Sequence, residues 1–163
     1  MNPSENKMRG RRENRAAAMQ FAYMRAANKD VPLNQLLDSF FETKEEPREF
    51  YGFASELIAG MEEHSAEIDA AISKSAKNWS MDRIARVDLA ILRLAVFELL
   101  FRDDIPPIVS INEAVDLAKT YSTAESKRFI NGVLDNVKNG LSRPLRTPLK
   151  HWCFPSLNAS RKD

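Results

Sequence analysis

The chain has 163 residues, 44% hydrophobic and 29% charged, with a formal net charge of +1; this composition fits one globular domain or two small subdomains and excludes a disordered chain. Its single cysteine, Cys153, excludes an intramolecular disulfide, and with only His64 and His151 beside it a zinc site built mainly from Cys and His is excluded as well. No apolar run approaches the ~18–20 residues that cross a bilayer, and no apolar stretch follows the charged N-terminus, so the expectation is a cytoplasmic protein with no membrane partner.

Residues 1–10 carry Asn, Pro, Ser, Glu and Lys without periodicity and read as a flexible basic arm. Residues 11–27 predict a helix: at about 100° per residue Ala17, Phe21 and Met24 share one side, while Arg11, Arg12, Arg15, Met19 and Tyr23 gather on another. Asp30 is a candidate N-cap and Pro32 suits a first turn, followed by Leu33, Leu36, Leu37, Phe40 and Phe41 at helical spacing. After an acidic loop over 42–47, Pro47 opens a third helix with Phe50, Phe53, Leu57 and Ile58 inward, and a helix continues through 62–76 with Ile68 and Ile72 one turn apart.

The character changes near residue 78. Ser80 is a candidate N-cap, and 81–102 predict a helix apolar on most sides, which is the pattern of the central helix of a bundle. Pro106 and Pro107 end it. Ser110 with Glu113, and Ser122 with Glu125, have the spacing of capping boxes for the last two helices. Gly140 is a natural stop, and 141–163, with Pro144, Pro148 and Pro155, read as a disordered tail. No alternating strand pattern competes, and five glycines are too few for a turn-rich β architecture. The expected fold is therefore all-α, about seven helices, with one helical subdomain over 11–77 and another over 78–140.

Enzyme chemistry finds no constellation. None of the five glycines precedes a Lys, and no two are two residues apart, so a P-loop and a dinucleotide fingerprint are both absent. Cys153 lies in the tail with nothing to orient a base against it. His64, between Glu62, Glu63 and Glu67, reads as part of a solvated helix face rather than a metal site. Adjacent carboxylates such as Glu45–Glu46, Glu62–Glu63 and Asp103–Asp104 read as surface charge. No cofactor, metal or catalytic residue is expected.

Charge segregation is more informative. Residues 1–28 carry six basic and two acidic side chains, 29–138 carry 13 and 20, and 139–163 carry five and one. Basic ends on an acidic body point to a polyanion partner. Lys7, Arg9, Arg11, Arg12 and Arg15 are opposed only by Glu13. Arginine presents a planar fork of donors to phosphate, and Tyr23 at the margin of the same face suits stacking on unpaired bases. The plain alternative is a helix kept soluble by arginines. A second lead is the start of the last helix, where Lys127, Arg128 and Phe129 follow free backbone amides, although periodicity also fits Phe129 to the core.

These segments resemble the NusB transcription antitermination family. The resemblance covers residues 11 to about 138 and rests on NWSMDRIARVDLAILRLAVFELL (78–100), IPPIVSINEAVDLAK (105–119), STAESKRFINGVLD (122–135) and RRENRAAAMQFAY (11–23). It implies an all-helical fold of two subdomains and a non-enzymatic RNA-binding role. It also implies pairing with NusE, a ribosomal small-subunit protein, on single-stranded RNA of the boxA type, notably in ribosomal RNA leaders. Entry into an antitermination complex on RNA polymerase with other Nus factors follows from the same resemblance. Matched to the family's RNA-contacting positions, Arg11, Arg12, Arg15 and Tyr23 form one patch, and Glu125, Arg128 and Phe129 a second. Glu13 interrupts a basic run that is often more continuous in the family, and a carboxylate at Glu125 would weaken affinity for RNA. The tail after residue 140 exceeds the family core. A competing reading from another class is a homodimeric protein-interaction scaffold whose basic face meets an acidic protein.

Overall fold

The computed structural model describes residues 2–148; the predicted tail beyond residue 148, with His151 and Cys153, lies outside the described residues. Among the described residues there are seven α-helices, two short 3-10 turns and no strand. The helices are α1 (Pro3–Ala27), α2 (Leu33–Glu42), α3 (Gly52–Glu63), α4 (Ser65–Ser75), α5 (Arg86–Phe101), α6 (Pro107–Tyr121) and α7 (Ala124–Asn139). The 3-10 turns are Arg48–Tyr51 and Met81–Arg83.

The central helix is α5. It packs against α1, α3, α4, α6 and α7. Its Ala90, Ile91, Leu92, Leu94, Ala95, Val96, Phe97 and Leu99 are all buried, which accounts for the nearly all-round apolar pattern read from the sequence. Buried residues from α1 through α7 form one contiguous cluster. Phe21 of α1 meets Phe40 of α2 edge-on at 5.5 Å, and Phe40, Phe41 and Tyr51 extend that aromatic chain across the α2–α3 connection. At Gly60 α3 approaches α5 so closely that a Cβ would overlap the Phe97 ring.

Several boundaries differ from the sequence expectation, each for a local reason. The expected arm over 1–10 is helical from Pro3, because Asn2 and Glu5 form a reciprocal capping box and Pro3 sits in the first turn. The continuous helix expected across 62–76 breaks at His64, whose ring stacks on Phe101 at 3.8 Å and faces Phe97. His64 is thus half-buried against α5 rather than part of a solvated face. The helix expected from residue 81 begins at Arg86; Met81–Arg83 is a 3-10 turn, followed by an extended and buried Ile84. Neither serine capping box forms: α6 already starts at Pro107, and α7 is capped by Thr123, whose hydroxyl accepts from Ser126 N–H.

The first part of the expected tail folds back. Arg143 donates to the carbonyls of Ile105, Leu99 and Glu98, and Ile108 N–H donates to Leu145 O. Glu98 and Leu99 lie in the last turn of α5; the Glu98 carbonyl also accepts from Arg102 N–H, and Arg143 acts as a side-chain cap supplied from beyond α7.

Candidate nucleic-acid interface

The arginine-rich stretch of α1 divides into two groups with different surroundings. Lys7, Arg9 and Arg12 are exposed. Arg9 pairs along the helix with Glu13 at 2.9 Å, and Arg12 reaches α6, 3.2 Å from Glu113 and 3.7 Å from Asp116. Arg11 is half-buried with its guanidinium 4.6 Å from the centre of the Phe53 ring, a cation–π contact. Between α1 and α6 runs an open groove of about 670 Å³, lined by Met8, Arg11, Arg12, Val109, Asn112 and Lys119 among others.

Arg15 lies at the floor of that groove rather than on its exposed face. It is 3% exposed, and its Nε and Nη2 donate to both carboxylate oxygens of Glu98, itself 1% exposed. Ser110 Oγ donates to the same carboxylate at 3.0 Å. Burial works against the Arg15 charge, but Glu98 more than offsets it, with Glu113 adding to the effect, and holds the guanidinium above its ordinary range. Arg15, which the sequence groups with the RNA-facing stripe, has its fork occupied by Glu98 inside the protein. The residues that decide this, Glu98 and Ser110, are distant in sequence, and Ser110 had the look of a cap.

Along α1 the outer face continues to Gln20 and Tyr23. Gln20 Nε2 donates to the Tyr121 hydroxyl at 3.0 Å, and its Oε1 accepts from Lys44. Tyr23 is 42% exposed and Tyr121 41%. Tyr121 is the last residue of α6, so the Gln20 bond ties the middle of α1 to the turn that launches α7. That turn is fixed from below. Asp88 of α5, 4% exposed, accepts from Ser122 Oγ and Ser126 Oγ, both at 2.6 Å. Beyond it Glu125 and Arg128 are exposed, and Phe129 is half-buried with its ring 5.6 Å from that of Trp79.

The structure thus brings Arg11, Arg12, Tyr23, Glu125, Arg128 and Phe129 to accessible or half-accessible positions around α1 and the α6–α7 turn. Sequence reasoning missed Tyr121 and Trp79, both large, exposed aromatics beside this region. Trp79 stands next to the junction at residue 78, and no helical periodicity there marks its ring as exposed. Among the described residues no group of three or more His, Cys, Asp or Glu is placed to hold a metal ion, and no helix is long and apolar enough to cross a membrane.

Comparison with known proteins bears on this arrangement. The model of the NusB family matches residues 12–139. The chain belongs to the NusB family. The transcription antitermination protein NusB of Geobacter sulfurreducens is 47% identical over 138 residues, spanning 82% of this chain and 97% of that protein. The Myxococcus xanthus protein of the same name is 40% identical over 140 residues, spanning 84% and 100%. A crystal structure of T. maritima NusB superposes with a TM-score of 0.72 at 35% identity, covering 82% of this chain and 93% of that one. A chain from a crystal structure of the antitermination factors NusB and NusE in complex with dsRNA gives a TM-score of 0.73 at 30% identity, covering 82% and 99%. The NusB match begins at Arg12, so it takes in Arg12, Arg15 and Tyr23 of α1 and the whole of α5, α6 and α7.

Proposed function

We propose that this chain is an RNA-binding transcription antitermination factor that pairs with NusE on boxA-type RNA and supports ribosomal RNA transcription. The observation that carries the reading is the likeness, at 30% identity over nearly the whole partner chain, to a protein crystallised with NusE and RNA. The exposed face of α1 supplies a physical means: Arg12 and Arg9 offer donor forks to phosphate, Tyr23 offers a ring, and Arg128 with the start of α7 offers a second cationic patch. Arg15 acts at one remove, by anchoring α1 to α5.

In this reading the protein is an adaptor, not an enzyme. It carries RNA and NusE into a complex on RNA polymerase with other Nus factors, in the cytoplasm where nascent RNA is made. Self-association through the α1–α6 groove would compete with RNA for Arg12, so a homodimer would be the form without RNA. The deciding experiment is a titration of boxA RNA and a scrambled oligomer of equal length, each with NusE present. Tighter binding of boxA, weakening steeply with salt, is expected. Equal binding of the two would remove the main claim.

A further inference from the structure

A second open cleft, of about 370 Å³, lies among the C-terminal half of α1 and helices α3, α4 and α5, and it shares no lining residue with the α1–α6 groove. Its floor is apolar: Phe21, Ile58 and Ile68 are each no more than 2% exposed. Ala22 and Ala26, one turn apart on α1, line its wall with side chains too small to fill it. The volume falls within the usual ~300–1,000 Å³ of small-molecule sites, which share this make-up of apolar lining and a few polar groups. Water on such a floor finds few partners, so an apolar group displaces it readily.

The rim of the cleft is charged, and its spare donors outnumber its spare acceptors. Arg25 Nε donates to Glu62 at 2.9 Å and its Nη1 to the carbonyls of Asn28, Lys29 and Val31, which leaves Nη2 without an acceptor among the described residues. Arg93 Nε and Nη2 engage the two oxygens of Asp69, which leaves Nη1. Lys29 is exposed and pairs with no acid among the described residues. Of the carboxylate oxygens, both of Asp69 are taken and Glu62 Oε2 is left. Arg25, Lys29 and Arg93 against Glu62 and Asp69 give the lining one positive charge in excess. An apolar floor under a rim with spare cationic donors is complementary to a molecule with an apolar body and an anionic head.

We propose that this cleft binds a small amphipathic anion, a carboxylate on a medium-length apolar body. The body lies on the floor of Phe21, Ile58 and Ile68, and the carboxylate meets Lys29 and the spare N–H groups of Arg25. The site uses none of the residues assigned to RNA, so it stands or falls apart from the RNA-binding reading.

The test follows the methyl signals of Ile58, Met61 and Ile68 by NMR in the full chain while sodium octanoate is added below its micelle-forming concentration. Octan-1-ol serves as the same body without charge, and acetate as the head without a body. Octanoate should give shifts that saturate at these three residues and leave Ile130 of α7 unmoved. Octan-1-ol should bind about 10-fold or more weakly, the scale of losing charge-assisted hydrogen bonds, and acetate should not bind. Ala26→Leu, which fills the cleft, should abolish the saturating shifts. Lys29→Gln should weaken octanoate toward octan-1-ol and leave octan-1-ol unchanged; because Lys29 is exposed, this arm decides the matter even if the leucine variant folds poorly. Shifts that grow without saturation, or that appear equally at Ile130, would overturn the site. Equal binding of octanoate and octan-1-ol, or octanoate binding that survives both substitutions, would overturn it as well. Either failure leaves the RNA-binding reading untouched.

Discussion

The guanidinium of Arg15 and the carboxylate of Glu98 meet in a two-pronged contact, 2.9 Å from Nε to Oε2 and 2.8 Å from Nη2 to Oε1, with both side chains out of solvent. The pair joins the basic helix α1 to the central helix α5. A buried ion pair contributes little net stability, but removing one partner strands the other charge in a poor solvent. Arg15→Ala should therefore cost about 3–5 kcal/mol in urea unfolding. Arg15→Met combined with Glu98→Leu should recover much of that loss, since neither charge then remains. If Arg15→Ala unfolds like the parent, the contact is not the anchor described here.

Arg12 is the contrasting case. Its guanidinium is exposed, 3.2 Å from the half-buried Glu113 and 3.7 Å from the more open Asp116, and with one partner solvated such pairs contribute roughly 0–1 kcal/mol. Arg12→Ala should leave the unfolding midpoint nearly unchanged and weaken RNA binding across sequences, with the salt slope reduced by about one phosphate contact. The two arginines, three residues apart on one helix, should thus separate cleanly: one in a stability assay, the other in a salt-dependent binding assay.

That separation marks what sequence could and could not reveal. Helical periodicity exposed the existence of all seven helices and the central position of α5, because burial of Ile91, Leu94 and Leu99 imposes a 3.6-residue rhythm on the chain. The basic stripe was visible for the same reason. Its division into surface and interior was not, since the acid that claims Arg15 lies 83 residues away. Ser110 and Ser122 misled in a related way. Each has a glutamate three residues on, as a capping serine does, but its hydroxyl is taken by a buried carboxylate of α5, Glu98 or Asp88. Local pattern loses to a distant buried charge because an unpaired carboxylate in the core costs more than a missing cap.

Acid should act on the Arg102–Asp104 contact. Burial raises the Asp104 pKa, and the hydrogen bonds and charge of Arg102 outweigh it, so the carboxyl sits below the usual aspartate range. The unfolded chain then takes up this proton first as pH falls. The contribution is complete at neutral pH and is lost as pH drops through about 4 toward the lowered folded value. Asp104→Asn should reduce stability at pH 7 by about 1–2 kcal/mol, in line with the loss of charged hydrogen bonds. It should also flatten the fall in stability between about pH 5 and 3, and unfolding curves across that interval check both effects. An Asp104→Asn protein with the parent's acid sensitivity would assign that sensitivity to other carboxylates.

Arg143 gives the segment after α7 a structural task. Its guanidinium spans the carbonyls of Ile105 at 2.8 Å, Leu99 at 2.9 Å and Glu98 at 3.2 Å, while its Nε stays without a hydrogen bond 3.6 Å from Asp103. Burial lowers the Arg143 pKa, and Asp103 and Asp104 work against that fall. Three acceptors in different directions require a planar fork, which an ammonium group on a flexible stem does not reproduce. Arg143→Ala should cost about 1–3 kcal/mol, the scale of leaving buried acceptors unmet, and Arg143→Lys should restore only part of it. Hydrogen exchange supplies a local readout: amides in the last turn of α5 and the first turn of α6 should exchange faster in the alanine variant, while those in α3 and α4 keep their protection relative to global stability. Uniform loss of protection across all helices would mean that Arg143 stabilises the whole bundle and not this corner of it.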